Sequence, residues 1–108
     1  MAKSVRNSPD LLDLAEVDRV VHEPARLIIL MVLYGVESAD FTFLLNATEL
    51  TWGNLSSHVT KLEEASYVEV EKSFVGKKPR TMVQLTDTGR QAVDSYRTTM
   101  QSALKNLR

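Results

Sequence analysis

The chain has 108 residues, 44% hydrophobic and 25% charged, proportions that fit one small folded domain. They exclude a wholly disordered chain and a multidomain enzyme with a separate cofactor domain. With no cysteine and only two histidines, His22 and His58, the sequence excludes disulfide scaffolds, thiolate metal sites and a histidine-only metal cage, so no cofactor or metal is expected.

The net charge of -1 hides an asymmetry: residues 1–50 carry eight acidic and four basic groups (-4), residues 51–108 six acidic and nine basic (+3). Such a split points to a basic face on the second half. Residues 1–9 read as a flexible tail, polar and ending in Ser8-Pro9, without the apolar core of a signal peptide. The longest apolar run, Leu27 to Tyr34, has 8 residues. A membrane-spanning helix needs ~20. A cytoplasmic protein with no membrane partner is therefore expected.

Residues 10–108 read as one domain. Asp10 can cap a short helix with Leu11, Leu12, Leu14 and Val17 on its apolar stripe. His22 is expected to help cap the next helix, whose first position suits Pro24 because a missing N–H costs nothing there. That helix should run to about Tyr34, be buried on most sides and end at Gly35. Val36 to Asp40 reads as a brief link. Phe41 to Thr48 is a short helix with Phe41, Leu44 and Leu45 at helical spacing. Glu49-Leu50 makes a tight connection. Thr51 then caps a helix reaching about Ala65. Leu55, Val59 and Leu62 form its inward stripe. Trp52, Asn54, Ser56, Ser57, Thr60 and Lys61 stand on its other face.

From Tyr67 to Phe74 the period changes to alternation, a strand signature. Val75 to Pro79 is a turn and Arg80 to Leu85 the returning strand. Thr86 caps a last helix that continues to the end. Its seam comprises Val93, Tyr96, Met100, Ala103 or Leu104, and Leu107.

The expected fold is mainly α with a β-hairpin: a winged helix-turn-helix with terminal dimerisation helices. The helix-turn-helix covers about 41–65, the wing about 67–85 and the dimerisation helix about 86–108. The stretches Leu50–Val68, His22–Leu27, Gly76–Thr81 and Leu85–Arg90, in this arrangement, resemble small winged-helix transcriptional regulators of the MarR/ArsR type. The resemblance covers about residues 17–95. It implies a dimeric transcription factor on pseudo-palindromic duplex DNA. Where that family usually has glycine in a left-handed backbone, this chain has Ser66, a substitution costing on the order of 1 kcal/mol. The cysteine motif of metal-sensing members is absent, so metal sensing is not implied.

The residues support DNA binding independently. Asn54, Ser56, Ser57 and Thr60 are short polar side chains at the leading end of a helix, suited to base edges in the major groove. The helix N-terminus attracts phosphate, and Lys61 suits a phosphate contact. Lys72, Lys77, Lys78 and Arg80 lie within residues 72–86, which hold no acidic residue. Lys77, Lys78 and Arg80 therefore make a cationic tip for the backbone or minor groove. Trp52 either covers the turn as packing or reaches the sugar-phosphate. Arg26 either pairs with a carboxylate or touches phosphate. His58 reads as a structural or phosphate-contact group rather than a pH switch, and Glu63-Glu64 as a solvated pair.

From Tyr96 onward the last seam outruns what one small domain can cover. Leu11, Leu12 and Leu14 pose the same problem. A two-fold homodimer through Leu11, Leu12, Leu14, Val93, Tyr96, Met100, Ala103, Leu104 and Leu107 answers both. Two recognition helices would then stand ~34 Å apart, in successive major grooves. A crevice at that interface, lined by Tyr96, Met100 and the first helix, could admit a small apolar effector. No nucleophile–base pair, phosphate loop or metal cluster supports an enzyme. The alternative is a winged helix used for protein assembly, without sequence-specific DNA binding.

Overall fold

The computed structural model describes residues 14–105 and 107. The expected tail, and Asp10, Leu11 and Leu12, lie outside the described residues. After a 3-10 turn at Leu14–Glu16, the elements are α1 (Pro24–Val36), β1 (Ser38–Asp40), α2 (Phe41–Thr48), α3 (Trp52–Glu64), β2 (Val68–Val75), β3 (Lys78–Leu85) and α4 (Asp87–Lys105). The strands form an antiparallel sheet in the order β1-β3-β2.

Local chemistry sets most boundaries. Glu23 is the N-cap of α1, its Oε1 accepting from the Arg26 amide at 2.8 Å, with Pro24 at the first helical position. His22, expected to assist this cap, instead places Nδ1 2.8 Å from the Tyr96 hydroxyl on α4. Asp40 caps α2 by accepting from the Phe43 amide, and Thr51 caps α3 by accepting from the Asn54 amide. Thr86 caps α4 by accepting from the Gly89 amide at 2.9 Å.

Two boundaries differ from the sequence reading. Gly35 does not end α1, which continues to Val36; Glu37 makes the exit at φ 71. The cause is non-local. The Glu37 carbonyl accepts from the Leu85 amide, and Ser38 must be in register with Gln84. The supposed link Val36 to Asp40 is thus largely the third strand, its three residues too few to show a period. The turn is also tighter than expected. Val75 pairs with Lys78, leaving Gly76-Lys77 as a two-residue loop, and Pro79 pairs with Phe74 inside the ribbon. Positive φ falls on Gly76 (66°), the first loop residue, as in a type II′ turn.

The core lies between α1, α2, α3 and the sheet. Val21, Ile29, Leu30, Leu33, Leu44, Leu55, Leu62, Val68 and Val83 are fully buried there. A buried leucine contributes roughly 1.5–3 kcal/mol. α1 is less enclosed than its composition suggests: Ile28 and Met31 are exposed. Ile29, Leu30 and Leu33 face the core, while Met31 faces a groove shared with α4.

The junction of α3 with the wing is closely fitted. Ser66 adopts φ 65, the left-handed conformation expected at that position. Its amide donates to Glu63 O and that of Tyr67 to Leu62 O, both at 2.9 Å. These are the paired bonds of a Schellman motif, with serine where glycine is usual. The Ser66 carbonyl accepts from the Thr86 hydroxyl at 2.7 Å, so one residue ends α3 and anchors α4. One turn on, a Cβ on Gly89 would stand 2.1 Å from the Tyr67 carbonyl oxygen. Only glycine lets α4 cross the base of the wing this closely.

Candidate nucleic-acid interface

α3 divides as its sequence pattern requires. Leu55, Val59 and Leu62 are buried, while Asn54, Ser57, Thr60 and Lys61 are exposed and Ser56 is half-buried. The exposed residues follow directly from the Thr51 cap, so the polar face begins where unpaired amides and the positive end of the helix dipole lie. The Thr60 hydroxyl donates to the Ser56 carbonyl at 2.9 Å. The arrangement can present hydrogen-bonding groups to base edges and a cation to phosphate.

Trp52 packs one edge on α2 and leaves the rest of its ring at the surface. Its ring lies 4.9 Å from that of Phe41, tilted by 53°, yet 60% of the residue is exposed. It therefore covers the start of α2 and still forms part of the surface. A groove of about 510 Å³ separates this corner from the wing. Asp40, Phe41, Thr42 and Trp52 form one wall, and Val75, Lys78, Pro79, Arg80 and Thr81 the other. The Asp40 carboxylate there is engaged by the α2 cap.

On the wing, Lys72, Lys77, Lys78 and Arg80 are all exposed, and no ion pair holds any of them among the described residues. From Lys72 outward the ribbon is thus a local positive field on a chain of net charge -1, with Glu69 and Glu71 nearer its base.

His58 and Arg26 face inward from this surface. Arg26 donates from Nε to Val20 O at 2.7 Å, and one terminal nitrogen lies 3.2 Å from His58 Nδ1. The Glu23 carboxylate is 4.0 Å from the same imidazole nitrogen. Acceptance of the Arg26 amide bond holds the Glu23 pKa below its usual value, with His58 and Arg26 charges adding to the effect against the opposing cost of burial. The expected carboxylate pair of Arg26 is not formed among the described residues: its guanidinium is held by the carbonyls of Val20 and Arg19 and by His58. The cluster fastens α3 to the start of α1. Its partners come from residues 20–26 and 58, a juxtaposition that no local period could reveal. The same holds for Tyr67, whose hydroxyl donates to Asp18: burial, then this bond, pushes its pKa up to about 12.

The expected interface residues separate into two groups. Val93 belongs to the subunit's own core and Ala103 is buried too. Tyr96, Met100 and Leu104 instead line an apolar groove of about 330 Å³ with Leu27, Met31, Tyr34, Val93, Arg97 and Gln101. Leu14, Leu104 and Leu107 are exposed. Tyr34 is braced at the rim, donating to Asp94 at 2.6 Å beneath the Arg90 guanidinium, 4.3 Å from its ring. Among the described residues, no acidic, histidine or cysteine cluster could hold a metal, and no helix is long and apolar enough to cross a membrane.

Three helices ahead of a two-stranded ribbon, with the second and third forming a helix-turn-helix and a helix behind it, define a winged helix. The family model for the winged helix DNA-binding domain matches residues 25–104, and the chain belongs to that family. It is 37% identical over 78 residues to an uncharacterized protein of Methanocaldococcus jannaschii, covering 72% of this chain and 85% of that protein. The transcriptional regulator homologue of Pyrococcus horikoshii superposes with a TM-score of 0.81 at 28% identity, over 88% of this chain and 98% of the other. Overoxidized AbfR, solved bound to DNA, shares the fold at a TM-score of 0.67 and 16% identity, over 98% of this chain and 75% of its own.

Proposed function

We propose that the chain is a homodimeric regulator that binds specific duplex DNA sequences and acts as a repressor. Asn54, Ser56, Ser57, Thr60 and Lys61 would enter the major groove, with Trp52 at its edge. Lys77, Lys78 and Arg80 would hold the flanking backbone or minor groove. The observation that carries this is the separation on α3, a fully buried leucine stripe opposite an uninterrupted polar face, with unpaired cations across a shared groove. The reading also agrees with the regulator homologue of Pyrococcus horikoshii.

Dimerisation would use Leu14, Tyr96, Met100, Leu104 and Leu107, together with Leu11 and Leu12 outside the described residues. The exposure of Met31 and Leu104 along the α1–α4 groove supports it, because aqueous exposure of that apolar surface is unfavourable. The same groove would take a small apolar effector, its apolar walls and aromatic rim being usual for such sites.

A fluorescence-anisotropy titration against the DNA upstream of the protein's own gene tests the reading. Affinity should fall steeply with salt, and the slope should drop by ~0.9 for each phosphate contact removed in a Lys77→Ala/Lys78→Ala/Arg80→Ala variant. Binding indifferent to salt, or a triple variant equal to the wild type, refutes it. Retention of an acidic protein partner without DNA binding would instead support an assembly module.

A further inference from the structure

Besides its cations, the wing carries two apolar side chains that the fold does not use. Phe74 is 73% exposed and Val75 58% exposed, beside the Gly76-Lys77 loop. Neither belongs to the core or to the partly buried residues packed on it. Consecutive strand residues point to opposite faces, so Phe74 and Val75 occupy the two sides of the ribbon. Phe74 shares its side with buried Val68, with Lys72 and with its cross-strand partner Pro79. Val75 shares the other side with Lys78 and Arg80. Each flat face of the tip therefore carries one exposed apolar strand residue, Phe74 beside Pro79 and Lys72 on one side and Val75 beside Lys78 and Arg80 on the other. The exposed cations call for a negatively charged partner surface, and the exposed Phe74 for an apolar recess within it.

We infer that the wing tip is an apolar wedge for the DNA minor groove, with Phe74 as its principal contact. The inference rests on the DNA-binding reading above and deepens it. Phosphates along both rims of the minor groove match the cations of the tip, and a single apolar side chain such as Phe74 can enter that groove as a wedge between base steps. Lys77, Lys78 and Arg80 would set the salt dependence. Phe74 would add contact free energy that does not depend on counterion release. Because the minor groove presents the guanine 2-amino group only at G·C pairs, the wedge would also discriminate against G·C beneath it.

The test uses the full chain and a duplex enriched by the wild-type protein from a randomised pool, with the wing footprint located by hydroxyl-radical cleavage. Phe74→Ala should bind about tenfold more weakly, as expected from losing an aromatic contact, with the slope of log K against log salt unchanged. Phe74→Leu should recover most of the loss, and the melting temperatures of both variants should match the wild type because the side chain is outside the core. Replacing I·C by G·C under the wing adds only the 2-amino group to the minor groove. It should weaken the wild type several-fold and leave Phe74→Ala nearly unaffected. Failure of the wild type to enrich any duplex overturns the DNA-binding reading itself. With wild-type binding intact, any of three results overturns the wedge alone: undiminished affinity of Phe74→Ala, a loss accompanied by a lower salt slope, or equal sensitivity of variant and wild type to the 2-amino group.

Discussion

Ser66→Gly should stabilise the protein. Ser66 occupies the left-handed region at φ 65. There a Cβ crowds the following carbonyl at a cost of ~1–2 kcal/mol. The conformation is over-determined by three contacts: Ser66 N to Glu63 O, Tyr67 N to Leu62 O, and the Thr86 hydroxyl to Ser66 O. All are made by backbone atoms of residue 66 or its neighbour and survive the substitution. The Ser66 side chain is exposed, and its hydroxyl makes no hydrogen bond among the described residues, so no bond is lost. Against the relief stands glycine's greater freedom in the unfolded chain, ~0.5–1 kcal/mol. The balance is a gain of about 0.5–1 kcal/mol. For a domain of this size 1 kcal/mol moves the midpoint by ~4–8 °C, so a rise of a few degrees is expected. Urea denaturation at fixed protein concentration should show a higher midpoint with an unchanged m value. Ser66→Ala, which keeps the Cβ, should show no comparable gain. A glycine variant no more stable than the wild type would refute the claim that residue 66 stores strain.

The other predictions concern the cap, the crossing and the exposed groove. Gly89→Ala should cost about 3 kcal/mol or more, or lower soluble yield, because its Cβ would meet the Tyr67 carbonyl oxygen at 2.1 Å and neither backbone can yield freely; thermal denaturation reads this. Glu23→Gln should weaken the α1 cap by about 1 kcal/mol at neutral pH. Since the Glu23 pKa is depressed in the folded state, its stabilisation is present above the ordinary value of 4.5 and is lost as pH falls through the lower folded value. Wild type and variant should therefore converge in stability on acidification below 4.5, as followed by urea melts across pH. Leu104→Glu places a charge on an exposed position of the α1–α4 groove. It should shift sedimentation velocity toward the monomer while leaving the helical circular-dichroism spectrum intact.

Periodicity made α1, α2, α3 and α4 legible, because each has an apolar stripe and two begin at a side-chain cap readable from the sequence, Thr51 and Thr86; the Asp40 cap of α2 lay within the supposed link. It also exposed the polar face of α3, since burial of Leu55, Val59 and Leu62 leaves Asn54, Ser57 and Lys61 no alternative but the surface. The same logic overreached on α4. A seam counts apolar positions but cannot tell which subunit covers them, and Val93 and Ala103 proved to be buried within this one. It also overreached on α1, where a nearly continuous apolar run does not reveal that Met31 faces out.

The sequence by itself determined the order of the four helices and the hairpin, the inward face of α3 and the concentration of cations in the wing, all consequences of spacing and charge within a few neighbouring residues. Only the tertiary structure decided where α1 lets go, that Ser38–Asp40 forms an edge strand, that Arg26 and Glu23 gather at His58, and that Phe74 and Val75 stand clear of the core. Each depends on residues distant along the chain competing for the same partner. In such contests the global packing, through register with β3 or the close crossing at Gly89, overrides the local preference.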